Sequence, residues 1–300
     1  MKKKTAARFS VLEWGDPLAG ETLRLLEVDS SQLRECMKYY EDTKLDGLYI
    51  SYHHGYRRTD LTFLKDYPFV RHIVVAYSPD IRVSGLCELR GLRSICIADN
   101  RQPIDFSAFP ELEDLSVDWH SKMRFPQRSE ALKRLALRNY KPKSKDLTEL
   151  PEFVNLEELT IIRSPLRSLA GLRRFRKLKH LDLSYLSKLE RIGDLDAPSL
   201  EVVEFHVCKK ICDHEHVATL PRVRVLRFGN CGQMPSLKFL DRMPRLEEFS
   251  FVDTNVVDGD LRPLFRLKYA GFLNRKHYSH TDEEVEAIIA ERQRGGGGYQ

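Results

Sequence analysis

The chain has 300 residues, of which 42% are hydrophobic and 31% charged, enough apolar material for a continuous core under a charged exterior and too much for a disordered chain. The net charge of +5 permits contact with nucleic acid without requiring it, so where the charge lies matters more than its size. No stretch approaches the roughly 18 apolar residues of a membrane helix, and the six scattered cysteines, Cys36, Cys87, Cys96, Cys208, Cys212 and Cys231, show no disulfide framework and point to a reducing cytoplasm.

The chain opens on basic residues, Met1 to Lys4, but then runs Phe9-Ser10-Val11-Leu12-Glu13-Trp14 without the uninterrupted apolar stretch of a signal peptide. A pattern apolar-x-x-apolar-x-apolar then recurs, with first positions at Leu23, Leu45, Val70, Leu92, Leu112, Leu132, Leu156, Leu178, Leu200, Val223, Leu246 and Leu267. The intervals of 20 to 25 residues are short for a repeat containing a full helix, so the outer side is predicted to be extended chain, turns and brief 3₁₀ or α segments. The first, fourth and sixth residues of each unit point inward, and one repeat cannot bury them alone. Stacking is obligatory, and the strands should align as a parallel sheet. Proline at Pro68, Pro110, Pro198, Pro221 and Pro244 stands two residues before a strand unit and stops the outer segment from continuing as helix. No Pro/Gly/Ser-rich linker divides the chain, so a single elongated body is expected.

This register resembles the leucine-rich repeat family over residues 23–275, most closely its short-repeat branch of internalins and phosphatase-regulating proteins. The resemblance implies an α/β solenoid: a horseshoe or arc with a parallel concave β-sheet, about twelve repeats, and helical caps at both ends. It also implies partner binding, regulatory or inhibitory, by a protein that is monomeric alone. Family repeats carry Asn at the ninth position, bonded to the turn beneath. Here the position reads Ser31, His53, Ser78, Asn100, His120, Tyr140, Ser164, Leu186, Cys208, Cys231, Thr254 and Arg275, so stacking is expected to rest on small polar substitutes in less regular turns. The organisation expected is an N-terminal cap with the first repeat at 1–44, repeats at 45–275, a capping helix at 276–294 and a flexible tail at 295–300.

Within that frame, residues 31–43 read as an amphipathic helix over the early repeats. The turn Tyr52-His53-His54-Gly55-Tyr56-Arg57-Arg58 is rich in rings and cations, and either extends the rim of a binding face or is a longer loop tied to the N-terminal cap. The third, fifth, seventh and eighth residues of each repeat should project from the concave sheet. Over repeats two to twelve these columns hold eight acidic residues, Asp99, Asp114, Asp118, Glu158, Asp182, Glu204, Glu248 and Asp253, against four arginines. A face of that charge suits a protein surface better than extended phosphate binding. Aromatic and arginine side chains dominate interface energetics, so the candidate partner-binding residues are Tyr49, Tyr52, Tyr77, Asp99, Asp118, Trp119, Arg138, Arg163, Asp182 and Tyr185. The competing reading is that the rings merely pack on their ladder neighbours.

Basic residues concentrate outside at Arg167, Arg173, Arg174, Arg176, Lys177 and Lys179, which makes a nucleic-acid-associated protein the alternative reading, although such runs usually form a solvated face. The segment from His206 to His216 holds five possible soft-metal ligands, but its spacing fits no zinc pattern and Cys208 and Cys231 fall on the inward ninth position. Neither a metal nor any other cofactor is expected. A nucleophile elbow, a phosphate-cradling glycine loop and a metalloprotease helix are all missing from the sequence, and Gly229-Asn230-Cys231-Gly232 is a turn signal, so no enzyme is expected. At the C-terminal end, residues 281–294 read as a helix with Thr281 as N-cap and Glu284 completing a capping box.

Overall fold

A computed structural model describes residues 9–15 and 22–295. The basic start at 1–8 and the tail at 296–300 lie outside the described residues. The chain packs as two compact units, Met1–Leu132 and Lys133–Gln300. Each solenoid repeat rests on its neighbours alone, so a division between repeats leaves no trace in composition.

The first unit holds β1 (Val11–Gly15), β2 (Thr22–Glu27), α1 (Leu33–Thr43), β3 (Gly47–Ser51), β4 (His72–Ala76), β5 (Ser94–Ile97), β6 (Asp114–Asp118) and a two-residue β7 (Arg128–Ser129). β2 to β6 lie parallel in chain order, with fourth positions in register: Leu48 against Ile73, Ile73 against Ile95, and Ile95 against Leu115. β1 runs antiparallel to β2, pairing Leu12 with Leu25 and Trp14 with Leu23. It was not foreseen from the sequence, although Leu12 and Trp14 alternate with Glu13 at the two-residue period of a strand. α1 buries Cys36, Met37 and Tyr40 and ends at Lys44, whose φ of 48° is left-handed.

The second unit holds β8 (Arg134–Arg138), a two-residue β9 (Glu152–Phe153), β10 (Glu158–Ile162), β11 (His180–Ser184), β12 (Val202–His206), β13 (Val225–Gly229), β14 (Glu248–Ser250), β15 (Tyr269–Gly271) and α2 (Asp282–Gly295). β8 and β10 to β15 form a parallel ladder in chain order. α2 packs on β15. Its capping box forms as expected: Glu284 N–H donates to Thr281 Oγ1 at 3.3 Å, and Thr281 N–H to Glu284 Oε2 at 2.8 Å.

From β3 to β15 each ladder strand starts two residues after the first position read from the sequence. From Leu45 to Phe251 the first, fourth and sixth residues of every repeat are buried, as the pattern requires. The outer side carries short 3₁₀ turns such as Val83–Glu88, His214–Thr219 and Lys238–Arg242, again as expected. The ninth-position substitutes work by hydrogen bonding. Thr254 Oγ1 donates to Phe228 O at 2.9 Å and accepts Cys231 N–H at 3.0 Å. Ser164 Oγ donates to Tyr140 O at 2.6 Å, and the thiols of Cys208 and Cys231 point at Leu183 O and Phe205 O at 3.3 and 3.4 Å. Asn100 Nδ2 bonds both Ser78 O and Ile81 O. Each bond satisfies a buried carbonyl that the ladder leaves over. No helix among the described residues is long and apolar enough to cross a membrane.

Candidate functional site

The strand of each repeat ends at or before the seventh position, and the backbone at the eighth sets what the side chain there can do. Tyr77, Asp99, Asn139, Arg163, Tyr185, Val207, Asn230 and Asp253 all have φ between 50° and 60°. From Asn139 to Asn230 each of these residues donates its N–H to the seventh-position carbonyl of the following strand, as Tyr185 does to His206 O at 2.7 Å. The left-handed residue turns the chain out of the sheet while keeping one more ladder bond. Asn and Asp tolerate that conformation, which explains Asp99, Asn139, Asn230 and Asp253. Tyr77, Arg163, Tyr185 and Val207 do not fit that rule, and each is held there at about 1–2 kcal/mol.

Two candidates in this column depart from the pattern. Tyr52 opens a 3₁₀ turn, Tyr52–His54, and the left-handed residue moves to Gly55 at φ 93°. Trp119 is half-buried and stacks on Phe125, with ring centroids 6.4 Å apart. Its indole therefore packs against a ring of its own repeat.

On the first unit, the sheet face opposite the core, here the open face, is apolar. Leu25, Tyr49, Val74 and Ala76 are buried in a cluster with Leu12, Trp14, Leu23, Cys96 and Ala98 packed against it. Tyr49, expected to project, is 4% exposed because Trp14 lies 6.1 Å and His54 5.3 Å from its ring. His54 in turn bonds Glu27 of β2 at 2.7 Å. The loop that carries His54 is tied to the N-terminal region, where Arg57 N–H donates to Ser30 Oγ at 2.8 Å and Ser30 N–H to Gly55 O at 3.3 Å. This supports the loop reading of residues 52–58. Asp118 is also buried, at 5% exposure, since its carboxylate accepts the N–H of Asp99 at 2.8 Å. Tyr77 stands out at 55% exposure, edge-on to His53 at 5.2 Å, with exposed Asp99 on the next repeat.

On the second unit the open face is polar. β11, β12 and β13 bring Asp182, Glu204 and Arg227 into one row and Ser184, His206 and Gly229 into the next. Glu204 sits at the centre: it bonds His206 Nε2 at 3.3 Å and the Arg227 guanidinium, whose other arm reaches Glu248 at 3.3 Å. The His206 bond and then Arg227 hold the Glu204 carboxyl down to about 2, and the same carboxylate raises His206. Asp182, beside it, is pushed up by burial despite a 2.8 Å bond from Ser184 Oγ. Arg163 lies 5.8 Å over the ring of Tyr185, which is 51% exposed. Arg138, on β8, is half-buried. The candidates thus fall into two groups, Tyr49, Tyr52, Tyr77, Asp99, Asp118 and Trp119 on one unit and Arg138, Arg163, Asp182 and Tyr185 on the other. Arg163 touches Tyr185 directly, while Tyr49 and Asp118 are consumed by packing and hydrogen bonding.

The outer basic strip is largely engaged. Arg173 pairs with Asp196, Lys179 with Glu157, and Lys177 bonds Asn155. The Arg174 guanidinium donates to three carbonyls, of Leu147, Thr148 and Leu150. These cations neutralise or bridge their own repeats, which weakens the nucleic-acid reading. In the segment 206–216, Asp213 accepts Ile192 N–H at 2.9 Å and His214 is buried edge-on to Phe228. Among the described residues no three of His, Cys, Asp or Glu are placed to hold a metal ion.

No family model matches the chain, and no curated protein matches it. Among the solved structures similar to it are two from Listeria monocytogenes. The internalin InlF shares 14% identity over 91% of this chain and 88% of its own length, with a TM-score of 0.53. The functional domain of InlJ, which includes a cysteine ladder, shares 13% identity over 80% of this chain, with a TM-score of 0.48, and the chain spans 49% of its length. The fold is the internalin-type leucine-rich repeat.

Proposed function

We propose that the chain is a non-catalytic protein-interaction scaffold, with an N-terminal cap and first repeat at 1–44 and a capping helix at 276–294, that grips a partner protein on the open face of its repeats. The observation that carries this reading is the pair of tyrosines, Tyr77 and Tyr185, each half-exposed at a left-handed position where other repeats use Asn or Asp. Neither exposure nor backbone conformation favours a ring there, and strain of this kind persists where a site requires the side chain. Arg163 over Tyr185 adds a cation to the second patch, and arginine and tyrosine are enriched among interface anchors. The surrounding carboxylates, Asp99 on one unit and Asp182, Glu204 and Glu248 on the other, give each patch polar groups that set orientation. A strand-borne surface also loses little conformational entropy on binding.

The test is an affinity capture from extract of the source cells, comparing wild type with the double variant Tyr77→Asn/Tyr185→Asn. Asparagine suits the backbone at both positions, so the variant is expected to stay folded by circular dichroism and to lose the captured partner. A folded variant that retains every captured protein overturns the proposal.

A further inference from the structure

β15 is the last strand of its ladder, so among the described residues one edge has no strand beside it. In a parallel ladder, alternate residues turn their backbone groups to opposite sides. Tyr269 N–H donates to Glu247 O at 3.1 Å, and Gly271 O accepts Phe251 N–H at 2.9 Å, so Tyr269 and Gly271 face β14. Ala270 faces the other way with both its N–H and its C=O. Buried or half-buried backbone groups of this kind are nearly always paired.

α2 packs here through buried Val285 and Ile289 and hydrogen-bonds to this end of the ladder only near its own ends. Gln293 Nε2 bonds Lys268 O at 3.1 Å and the Arg292 guanidinium bonds Leu267 O at 2.7 Å. At the other end Asp282 N–H donates to Asn274 Oδ1 at 2.8 Å. Between those clasps lies a cavity of about 400 Å³ lined by Ala270, Tyr269, Ile289, Ala290, Glu286 and Asp282 among others, within the ~300–1,000 Å³ range of ligand sites. Its lining is mixed: Ile289, Ala290 and Phe272 are apolar, Ala270 contributes its peptide edge, and Asp282 and Glu286 add two carboxylates. Lys268 is already paired with Glu247 at 3.1 Å and Asp282 accepts from Asn274 Nδ2, while Glu286 has no ion pair among the described residues.

We infer that this slot between β15 and α2 is a binding site for a short extended peptide segment bearing a lysine or arginine, contributed by a partner protein. The peptide backbone supplies the donor and acceptor that Ala270 lacks, as in strand addition at a sheet edge. A small apolar side chain settles against Ile289 and Ala290, and the cationic one meets Glu286 and Asp282. Tyr269, 55% exposed, flanks the mouth of the slot. The site is separate from the Tyr77 and Tyr185 patches and does not depend on them.

The probe is a fluorescein-labelled hexapeptide of alternating valine and lysine, titrated against the full chain by fluorescence anisotropy, with hydrogen exchange read at Ala270. Binding with slowed exchange at Ala270 is expected. Methylating the peptide's backbone nitrogens, with every side chain kept, should weaken it at least tenfold, and so should replacing lysine by glutamate. Ala270→Pro, which removes the edge N–H and no bond made inside the protein, should abolish it. Glu286→Lys, on the exposed surface of α2, should weaken it about threefold to tenfold while leaving the fold unchanged. Failure of the peptide to bind overturns the inference, as does equal binding of the N-methylated peptide. A concentration-dependent dimer of the chain alone that Ala270→Pro dissociates would make the occupant a second copy, and would overturn it too.

Discussion

Exchanging residues at the eighth position of neighbouring repeats separates the backbone's preference from the side chain's. Val207 has φ 55° and Asn230 has φ 51°, and their N–H groups donate at 2.8 Å to Gly229 O and Val252 O. The two positions are equivalent in geometry, one repeat apart. A β-branched residue in the left-handed region is disfavoured by about 1–2 kcal/mol, whereas Asn visits it readily. Against that, Val207 is half-buried, which is worth about 1 kcal/mol as half of the range for full burial, and Asn keeps part of that contact. Val207→Asn is therefore expected to stabilise the chain by roughly 0.5–1 kcal/mol, and Asn230→Val, at an equally half-buried position, to destabilise it by about as much. For a unit of this size each kcal/mol moves the midpoint by ~2–4 °C. Thermal melts followed by circular dichroism should show Val207→Asn rising by about 1–4 °C and Asn230→Val falling by about 1–4 °C. If both variants fall by the same amount, the left-handed backbone does not govern this column and the reasoning fails.

Thr254→Val keeps the shape of the ninth-position side chain but strips the buried hydroxyl that serves Phe228 O and Cys231 N–H. Unmet buried groups should then cost about 1–3 kcal/mol, visible as a lower urea midpoint at unchanged slope. Thr281→Ala removes half of the capping box and should cost about 1 kcal/mol, with faster hydrogen exchange confined to the first turn of α2; uniform acceleration throughout the chain would contradict a local role. Burial beside Phe228 pushes His214 down to about 4, so the unfolded chain takes up a proton below pH 6.5 that the folded chain refuses until about pH 4. That contribution is complete above pH 6.5 and falls by roughly 3 kcal/mol between pH 6.5 and 4. His214→Phe, which keeps a ring against Phe228, should flatten stability over that window, and identical pH slopes in both proteins would acquit His214.

The repeat register was legible because burial imposes it: a leucine at the first, fourth or sixth position has no alternative to the core, so Leu156, Leu159 and Ile161 announce their roles by spacing alone. The capping box of Thr281 and Glu284 was legible for a similar reason, being local and directional. What spacing could not convey was the fate of side chains on the other face. Tyr49 and Asp118 share the alternation of exposed neighbours, yet one lies under Trp14 from β1 and the other takes a backbone N–H from the preceding repeat. Both outcomes depend on partners about 20 residues or more away in sequence, which a two-residue period does not encode. β1 was missed because a single strand of alternating Leu12 and Trp14 lies outside the repeat frame that organised the reading.

The eighth column shows how a sequence signal can have two causes. Its Asn and Asp residues, Asn139, Asn230, Asp99 and Asp253, answer a demand of the backbone, since the chain must turn left-handed to leave the sheet without losing a ladder bond. They carry no information about a partner. The informative members are those that defy the demand, because a tyrosine at that position is disfavoured both in conformation and in its exposure to water. Reading the column for aromatic content alone included Trp119 and Tyr52, which escape the left-handed geometry, the first by stacking on Phe125 and the second in a 3₁₀ turn. Filtering it by φ leaves Tyr77, Arg163, Tyr185 and Val207, a shorter set in which three of the four side chains have interface chemistry and two of them, Arg163 and Tyr185, already touch. Strain thus ranks the surface where composition could only describe it.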